Sequence, residues 1–420
     1  MNILVVGGGG REHAIIKKLK ESPSAEKIYC APGNGGISRD AECVNISAMD
    51  IGKMVEFAKA NKIDLAVVAP DDPLVAGMVD AMEEAGIPAF GPCAKAALIE
   101  GSKVFSKNLM KKYRIPTADY QVFEDPKEAL AFIKKRDIYP AVIKADGLAL
   151  GKGVMIADDY SDAKNAIHSI MEDKIFGSSG RRVVIEEFIT GPEVSVLSFV
   201  DGKHIKPMVS SMDHKRAFDG DLGPNTGGMG TISPNPYYDE AMAKRCMDEI
   251  FLPTVDAMIA EGRPFKGCLY FGLMLTKDGP KVIEYNCRFG DPETQVVLPR
   301  LKTDLLEIML ATIHGTLDEI EIEWKDEACA CVIMASGGYP GKYEKGIEIT
   351  GLGEDGNISG ATVYHAGTAY QNGKFLTAGG RVLGVTCTAA ALDEALEKSY
   401  RAVDKISFEG AHYRKDIGKK

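Results

Sequence analysis

The sequence predicts an α/β protein. An N-terminal doubly wound parallel sheet is followed by a central two-part α/β domain and a small β-rich C-terminal module. Three observations lead there. Over residues 1–100, short apolar runs alternate with helix-length stretches, the pattern of parallel strands joined by crossover helices. Over 101–325, strands and helices are interrupted by glycine-rich polar segments. From 326 the texture changes to short strands and glycine turns, with one helix.

In order, residues 2–6 are an apolar strand closed by Gly7 to Gly10, with a helix carrying His13, Ala14, Ile16 and Leu19 after it. Strand 27–31, loop 32–36, helix 50–61, strand 65–69, loop 70–73, helix 74–85 and strand 89–91 complete the first unit, which closes near 100. Residues 101–115 read as a helix that Pro116 ends. A flap-bearing subdomain is expected over about 117–190: helix 126–136, strand 141–144, glycine loop 146–153, strand 154–157, helix 161–172 and strand 183–187. Residues 193–200 and 205–212 alternate like paired strands. A polar segment runs from Asp213 to Gly230, and helix follows over 239–261. Strands 267–275 and 280–286 form a hairpin around Lys277-Asp278-Gly279, and helix 303–314 ends at Gly315. The C-terminal module is expected to hold strands 328–335, 337–341, 361–365 and 379–387 and helix 389–404.

Composition narrows the function. Of 420 residues, 45% are hydrophobic and 26% charged, ordinary for a globular protein able to bury a core. The net charge of −10 argues against a general nucleic-acid binder. Nine cysteines occur without a CxxC pair, which points to reduced thiols in a cytoplasmic protein and away from a zinc site. Met1 to Val6 reads as a strand and not as a signal peptide. No apolar run approaches the roughly 18 residues of a membrane span, so no membrane partner is expected. The 45 glycines are many against a usual share of about 7% and point to tight turns or phosphate-approaching loops.

Five motifs carry chemistry. Val282 to Thr294 begins as a strand and ends as a polar loop. Alternation puts Glu284, Asn286 and Arg288 on one face. A carboxylate and an amide oxygen two residues apart suit Mg²⁺, which takes its other ligands from water and phosphate. Arg288 adds a cation for a carboxylate or phosphate. The alternative is a half-exposed strand turning its charges to solvent. Gly7-Gly8-Gly9-Gly10 lies between strand and helix, where backbone N–H groups can approach a phosphate; the alternative is a packing turn. It is no dinucleotide fingerprint, because Glu12 or His13 falls where the third glycine belongs. Two further loops, 32–36 and 70–73, follow carboxyl ends of strands, the edge where ligands gather in open α/β sheets.

Lys144 ends a strand before a loop with Gly147, Gly151, Lys152 and Gly153, able to cover a polyphosphate. The spacing excludes Walker A; a hairpin with a flexible lysine turn is the alternative. Strand 184–189 then turns at Gly191, so backbone at Glu186, Glu187, Phe188 and Ile189 can meet an adenine edge while Glu193 takes ribose hydroxyls; the alternative is a strand and turn with a purely structural role. Asp213-His214-Lys215-Arg216 and Gly223 to Gly230 are too polar for a core and read as an active-site wall or a surface loop. No G-x-S-x-G or other nucleophile motif is present.

These pieces fall in the order of an ATP-grasp ligase. Val6 to His13, Ala31 to Asn34, Gly101-Ser-Lys103, Ile143 to Ala149, Asp213 to Arg216, Gly223 to Gly230 and Asn286 to Thr294 closely resemble the glycinamide ribonucleotide synthetase family. So do Tyr364 to Thr368, Gly379-Gly-Arg381 and Arg414 to Gly418. The chain departs at Gly8, where relatives often carry Asn or Ser, and at Asp71, where they commonly carry Glu. The resemblance implies a central ATP-grasp domain at 101–325, an N-terminal substrate-binding domain at 1–100 and a C-terminal module at 326–420. It implies that ATP, glycine and 5-phosphoribosylamine react through glycyl phosphate, with Mg²⁺ or Mn²⁺ on Glu284 and Asn286. Lys103 and Lys144 would neutralise phosphates. Arg288, Asp213 and Lys215 would line the glycine and amine end, and with Lys144 they would form the catalytic set. Gly8, Gly9, Gly10, Gly33, Asn34, Asp71, Asn225, Thr226, Gly227, Gly228, Asp291 and Pro292 would hold substrate. A cytoplasmic monomer is expected. Two other readings are another ATP-grasp carboxylate–amine ligase and a non-catalytic nucleotide-binding protein.

Overall fold

The computed structural model describes residues 1–148 and 153–419. Its N-terminal sheet is parallel throughout, in the order Glu42–Cys43, Lys27–Pro32, Asn2–Gly7, Leu65–Val68, Ala89–Phe90. Leu4, Val5, Val6 and Leu65 are buried, as expected where both faces of a sheet are covered. The first crossover helix, Gly10–Leu19, opens on Gly9. The order reverses at the central strand Asn2–Gly7, which places the Gly7–Gly10 and 33–36 loops together at the carboxyl edge.

The central region contains two antiparallel sheets. The flap-side sheet runs Tyr120–Phe123, Val183–Glu187, Ala141–Ala145, Val154–Ala157. Helices Pro126–Arg136 and Tyr160–Ile167 bury Ala129, Ile133, Ala163 and Ile167 against it. The second sheet runs Ile205–Pro207, Glu193–Asp201, Lys266–Thr276, Gly279–Asn286. A parallel bridge from Thr117 to Val282, with Thr117 Oγ1 donating to the Val282 carbonyl at 2.7 Å, brings the flap-side unit to its edge.

The C-terminal sheet runs Met212–Asp213, Gly230–Ser233, Ala328–Ala335, Arg381–Ala389, Thr362–His365. Two of these strands flank the 214–229 segment, so the strand framework of the last third anchors both ends of that wall. The N-terminal unit is sewn to the same module. Asn34 Nδ2 donates to the His365 carbonyl at 2.8 Å, and the His365 N–H donates to His13 Nδ1 at 2.8 Å. A Cβ added at Gly36 would lie 2.1 Å from the His365 ring, so only glycine allows that approach.

Several expected elements differ. The helix expected over 101–115 is two, Ala94–Gly101 and Lys103–Tyr113, because Ser102 turns extended and its Oγ caps the Phe105 N–H at 3.1 Å. The helix expected over 74–85 divides into Asp71–Val75 and Met78–Glu84 at Gly77, whose φ is 89°. Asp71 therefore begins a helix instead of lying in a loop. The strand expected over 205–212 is not continuous: it breaks into Ile205–Pro207 and Met212–Asp213, with an isolated bridge from Ser211 to Ser195 between them. No strand forms at 337–341: Gly338 takes a φ of 93°, and the Gly341 N–H closes a turn on the Gly338 carbonyl at 2.8 Å. The 213–230 segment is no plain loop, since Arg216–Phe218 and Leu222–Asn225 pair as a hairpin. Helix 239–261 continues through a wider turn at 247–251, which accommodates Pro253. Among the described residues, no helix is long and apolar enough to cross a membrane.

Candidate active site

The strand Gly279–Asn286 behaves as its alternation predicts. Tyr285 and Cys287 are buried, while Glu284, Asn286 and Arg288 are half-buried on the cleft side. Gly272 on the neighbouring strand lies opposite Glu284, and a Cβ there would sit 3.0 Å from Glu284 Cγ, so a side chain would crowd the carboxylate. Glu284 Oε1 accepts from Lys215 Nζ at 3.2 Å. Lys215, opposed by burial but helped by Lys144 and Lys103, holds the Glu284 carboxyl down to about 2. Glu284 is therefore ionised at any working pH. Asn286 spends Nδ2 on the Tyr285 carbonyl at 2.7 Å, leaving Oδ1 as its remaining acceptor. One ionised carboxylate and one amide oxygen on one strand face fit a hard divalent cation that keeps waters and shares phosphate oxygens.

Cations surround this pair. Lys144 Nζ donates to Glu186 Oε2 at 3.0 Å and to the Ile283 carbonyl at 3.2 Å. Lys107 Nζ meets the same Glu186 oxygen at 3.0 Å and Thr117 Oγ1 at 2.8 Å. Lys103 Nζ donates to the Gly147 carbonyl at 2.8 Å. Burial pulls Lys103 below its ordinary value, with Glu284 opposing and Lys144 assisting. Burial likewise brings Lys107 down to about 8, against the pull of Glu186. Glu186 Oε1 is buried without a hydrogen-bond partner among the described residues, an open acceptor beside the flap-side strand. Glu187 Oε1 is taken by Lys281 Nζ at 3.2 Å and by the Asp119 N–H. Phe188 is exposed and Ile189 half-buried just beyond. The Gly153 carbonyl accepts the Ala145 N–H at 2.9 Å. Gly151 and Lys152, expected at the polyphosphate, lie outside the described residues.

The wall is held from several sides. Lys215 also faces Glu193 at 3.8 Å, and Glu284 raises its ammonium well above the ordinary range, against burial. Asp213 Oδ1 accepts the His214 N–H at 2.7 Å. Burial and Glu293 push its carboxyl well above the usual range, with Lys215 and Arg381 opposing. His214 is structural: Nε2 accepts the Gly418 N–H at 3.0 Å, and Nδ1 lies 3.2 Å from the Gly230 carbonyl. Thr226 Oγ1 bonds the Lys215 carbonyl at 2.9 Å, and Asn225 pairs with Arg216 across the hairpin. Arg381 Nη1 donates to the carbonyls of Gly227 at 2.6 Å and Asp291 at 2.8 Å, and Nη2 pairs with Asp291 Oδ2 at 3.3 Å. A Cβ at Gly228 would lie 2.5 Å from both Asp213 Oδ1 and Pro292 Cδ.

The N-terminal loops reach the same region. A Cβ at Gly9 would lie 3.5 Å from Asp291 Oδ2, and one at Gly10 2.7 Å from Gln295 Nε2. The Gly9 N–H is already bonded to Glu12 Oε2 at 2.5 Å, and Arg11 Nε pairs with the other Glu12 oxygen at 2.7 Å. Gly8 packs on the backbone of Gly33. Asn34 commits its whole amide: Nδ2 to the carbonyls of Gly8 and His365, Oδ1 to the N–H groups of Gly36 and Ile37. It shapes the loop with no hydrogen-bonding group to spare. Asp71 acts electrostatically on both Glu100 and Arg288.

Glu100, Glu293 and Arg381 join the site only in the structure. Glu293 is buried and accepts from Ser195 Oγ at 3.1 Å. Glu293 and Arg381 stand inside sequence motifs of the chain, Asn286 to Thr294 and Gly379 to Arg381, so the sequence carries a signal for them. Glu100 ends a helix in no motif at all.

Comparison with known proteins gives the family and the fold. Family models described as phosphoribosylglycinamide synthetase match as the N domain over residues 1–100, the ATP-grasp (A) domain over 101–294 and the C domain over 329–420. A phosphoribosylamine–glycine ligase of Caldanaerobacter subterraneus is 54% identical over 417 residues, 99% of each chain. One of Clostridium acetobutylicum is 49% identical over the full length of both. The crystal structure of the phosphoribosylamine–glycine ligase of Thermotoga maritima superposes with a TM-score of 0.87 at 34% identity, covering 99% of this chain and 100% of that one. A biotin carboxylase of Campylobacter jejuni, 16% identical with a TM-score of 0.75 over 98% of this chain and 92% of that one, shares the fold. Matched in all three of its parts, the chain belongs to the phosphoribosylglycinamide synthetase family, built on the ATP-grasp fold.

Proposed function

We propose that this chain joins glycine to 5-phosphoribosylamine at the expense of ATP, giving glycinamide ribonucleotide, ADP and phosphate. The observation that carries this is the convergence of Lys215, Lys144 and Lys103 on Glu284 in a chain of this family, with Asn286 and Arg288 following Glu284 in the same segment. In this reading ATP lies between the two central sheets. Glu186 to Ile189 face its base, Glu193 its ribose, and Lys103, Lys144 and the loop from Gly147 to Gly153 its phosphates. Glu284 and Asn286 would hold a divalent cation, Mg²⁺ or Mn²⁺, which would offset phosphate charge when bound.

The chain's own groups then do mainly positioning and charge neutralisation, which is what phosphoryl transfer requires. A glycine carboxylate oxygen attacks the γ-phosphorus and ADP leaves, forming glycyl phosphate. Arg288 fits the glycine end, because its Nε is buried without a partner among the described residues. The sugar amine next attacks the acyl carbon and phosphate departs. Asp213, its carboxyl held high by burial and Glu293, is suited to take the proton that the amine sheds. Asn225 to Gly228, Asp291 and Pro292 would wall this end. The N-terminal loops with Gly8, Gly9, Gly33 and Asn34, together with the helix starts at Gly10 and Asp71, would hold the ribose phosphate. The 1–100, 101–325 and 326–420 units would thus divide the work, in a cytoplasmic monomer with neither nucleic acid nor membrane as partner.

ADP release should require glycine together with 5-phosphoribosylamine. Formate or bicarbonate in place of glycine should leave only background turnover. Turnover driven by either would point to a different acid-activating ligase, and no turnover with any acid to a non-catalytic binder. Gly9→Val tests the division of substrates. Its branched side chain would enter the space between Glu12 and Asp291. The KM for phosphoribosylamine should rise about tenfold or more, the loss of one or two polar contacts, with the KM for ATP little changed. Equal rises for both substrates, with a lower Tm, would mean that the loop is only a packing turn.

A further inference from the structure

Glu100 and Arg288 are 188 residues apart and face each other at the junction between the first unit and the metal-side strand. Glu100 lies in the last turn of the helix Ala94–Gly101, and its side chain is only 7% exposed. Both carboxylate oxygens are engaged by the segment that follows the strand Gly279–Asn286. Oε2 accepts the Cys287 N–H at 2.7 Å, and Oε1 lies 3.2 Å from Arg288 Nη2. One carboxylate therefore fixes the backbone at 287 and the guanidinium at 288 together.

Arg288 has few other restraints. Nη1 reaches the carbonyl of its own neighbour Phe289 at 3.3 Å, a carbonyl that Arg11 Nη1 also approaches at 3.3 Å. Nε is buried and has no partner among the described residues. A guanidinium is a planar fork of five donors. With Nη2 pinned by Glu100, the plane is set and the open Nε–H has one direction. A buried donor without a partner is costly unless a ligand completes it. The glycine carboxylate, and the acyl phosphate it becomes, are acceptors of the matching kind.

We infer that Glu100 is a positioning residue of the ligase reaction, holding the Arg288 guanidinium so that its unpartnered edge meets the glycine carboxylate. This rests on the reading of Arg288 given above. Glu100 touches no reacting atom and acts wholly through Arg288 and the Cys287 amide. The competing account is a buried ion pair that only joins two parts of the fold.

The test is a double-mutant cycle on the full-length enzyme, reading KM for glycine, KM for ATP and Tm. Glu100→Gln keeps the volume and an acceptor for the Cys287 N–H but removes the charge that holds Arg288. KM for glycine should rise about tenfold or more, the scale of one charged hydrogen bond, while KM for ATP stays within about twofold. Glu100→Asp, which restores the charge one methylene short, should recover part of the loss; it also serves if the Gln variant does not fold. In an Arg288→Met background, Glu100→Gln should add nothing further to KM for glycine. If Glu100→Gln lowers Tm and moves both KM values alike, or if its effect is additive with Arg288→Met, the positioning role is overturned. If Arg288→Met itself leaves KM for glycine unchanged, the underlying reading of Arg288 fails instead, and the inference with it.

Discussion

Glu284→Gln is expected to fold and to lose ligase activity by more than about a hundredfold, since even residues that merely orient a metal ligand cost 10–100-fold when changed. Glu284 is half-exposed at the cleft wall and Gln has its shape, so circular dichroism should be unchanged and Tm should move by only a few degrees. The function should collapse because this carboxylate has two tasks. It supplies the negative charge of the Glu284–Asn286 ligand pair, and it is the chief counter-charge of Lys215. Without it, Lys215, Lys144 and Lys103 face one another across the cleft with less to separate them, and a cation competes poorly for a neutral amide pair. Steady-state ADP release over a Mg²⁺ titration checks this. Near-wild-type turnover at saturating Mg²⁺ would remove Glu284 from the metal role, whatever the rest of the cleft does.

Much of this site was legible before any coordinates, and the reason is local. Glu284 and Asn286 share a face because a strand alternates, while Arg288 lies in the bend just beyond the strand's end at Asn286. The parallel N-terminal sheet follows from strand and helix lengths in the same way. What escaped was decided by contacts distant in sequence. Glu100 gains its meaning only when Cys287 and Arg288 arrive beside it. Arg381 does so only when the C-terminal sheet delivers it to Gly227 and Asp291. The helix expected over 101–115 breaks for a local reason: Ser102 is a better cap than a helix interior residue. The glycines of 7–10 and 33–36 suggested ligand approach, yet part of their use is packing. Gly8 sits on Gly33, and Gly36 on His365.

That last seam carries the second large effect, a loss of stability on mild acidification. His13 and His365 are buried between the N-terminal unit and the C-terminal module. His13 accepts the His365 N–H on Nδ1 at 2.8 Å and bonds Asp40 Oδ2 through Nε2 at 2.9 Å, so it carries its proton on Nε2 and is neutral. Protonating Nδ1 would set a donor against a donor. Burial accordingly holds His13 down to about 4, despite its opposing hydrogen bond to Asp40, and burial with His13 holds His365 down to about 3. An unfolded histidine titrates near 6.5. Below that value the unfolded chain binds protons that the folded chain refuses, so stability is complete above about pH 6.5 and falls as pH drops toward 4. At pH 5 the deficit is on the order of 2 kcal/mol for each histidine, at about 1.4 kcal/mol per pH unit. Glu100 and Asp213 work in the opposite sense, because their carboxyls are held above the usual range and protonation there favours the folded state. The histidine contribution must therefore be isolated by substitution. Tm should fall between pH 7.5 and 5 in the parent protein. His13→Gln should be less stable at pH 7.5, having lost ring packing against His365 and Tyr364, yet lose less on acidification. An unaltered pH slope in His13→Gln would place the acid sensitivity elsewhere and refute the seam as its origin.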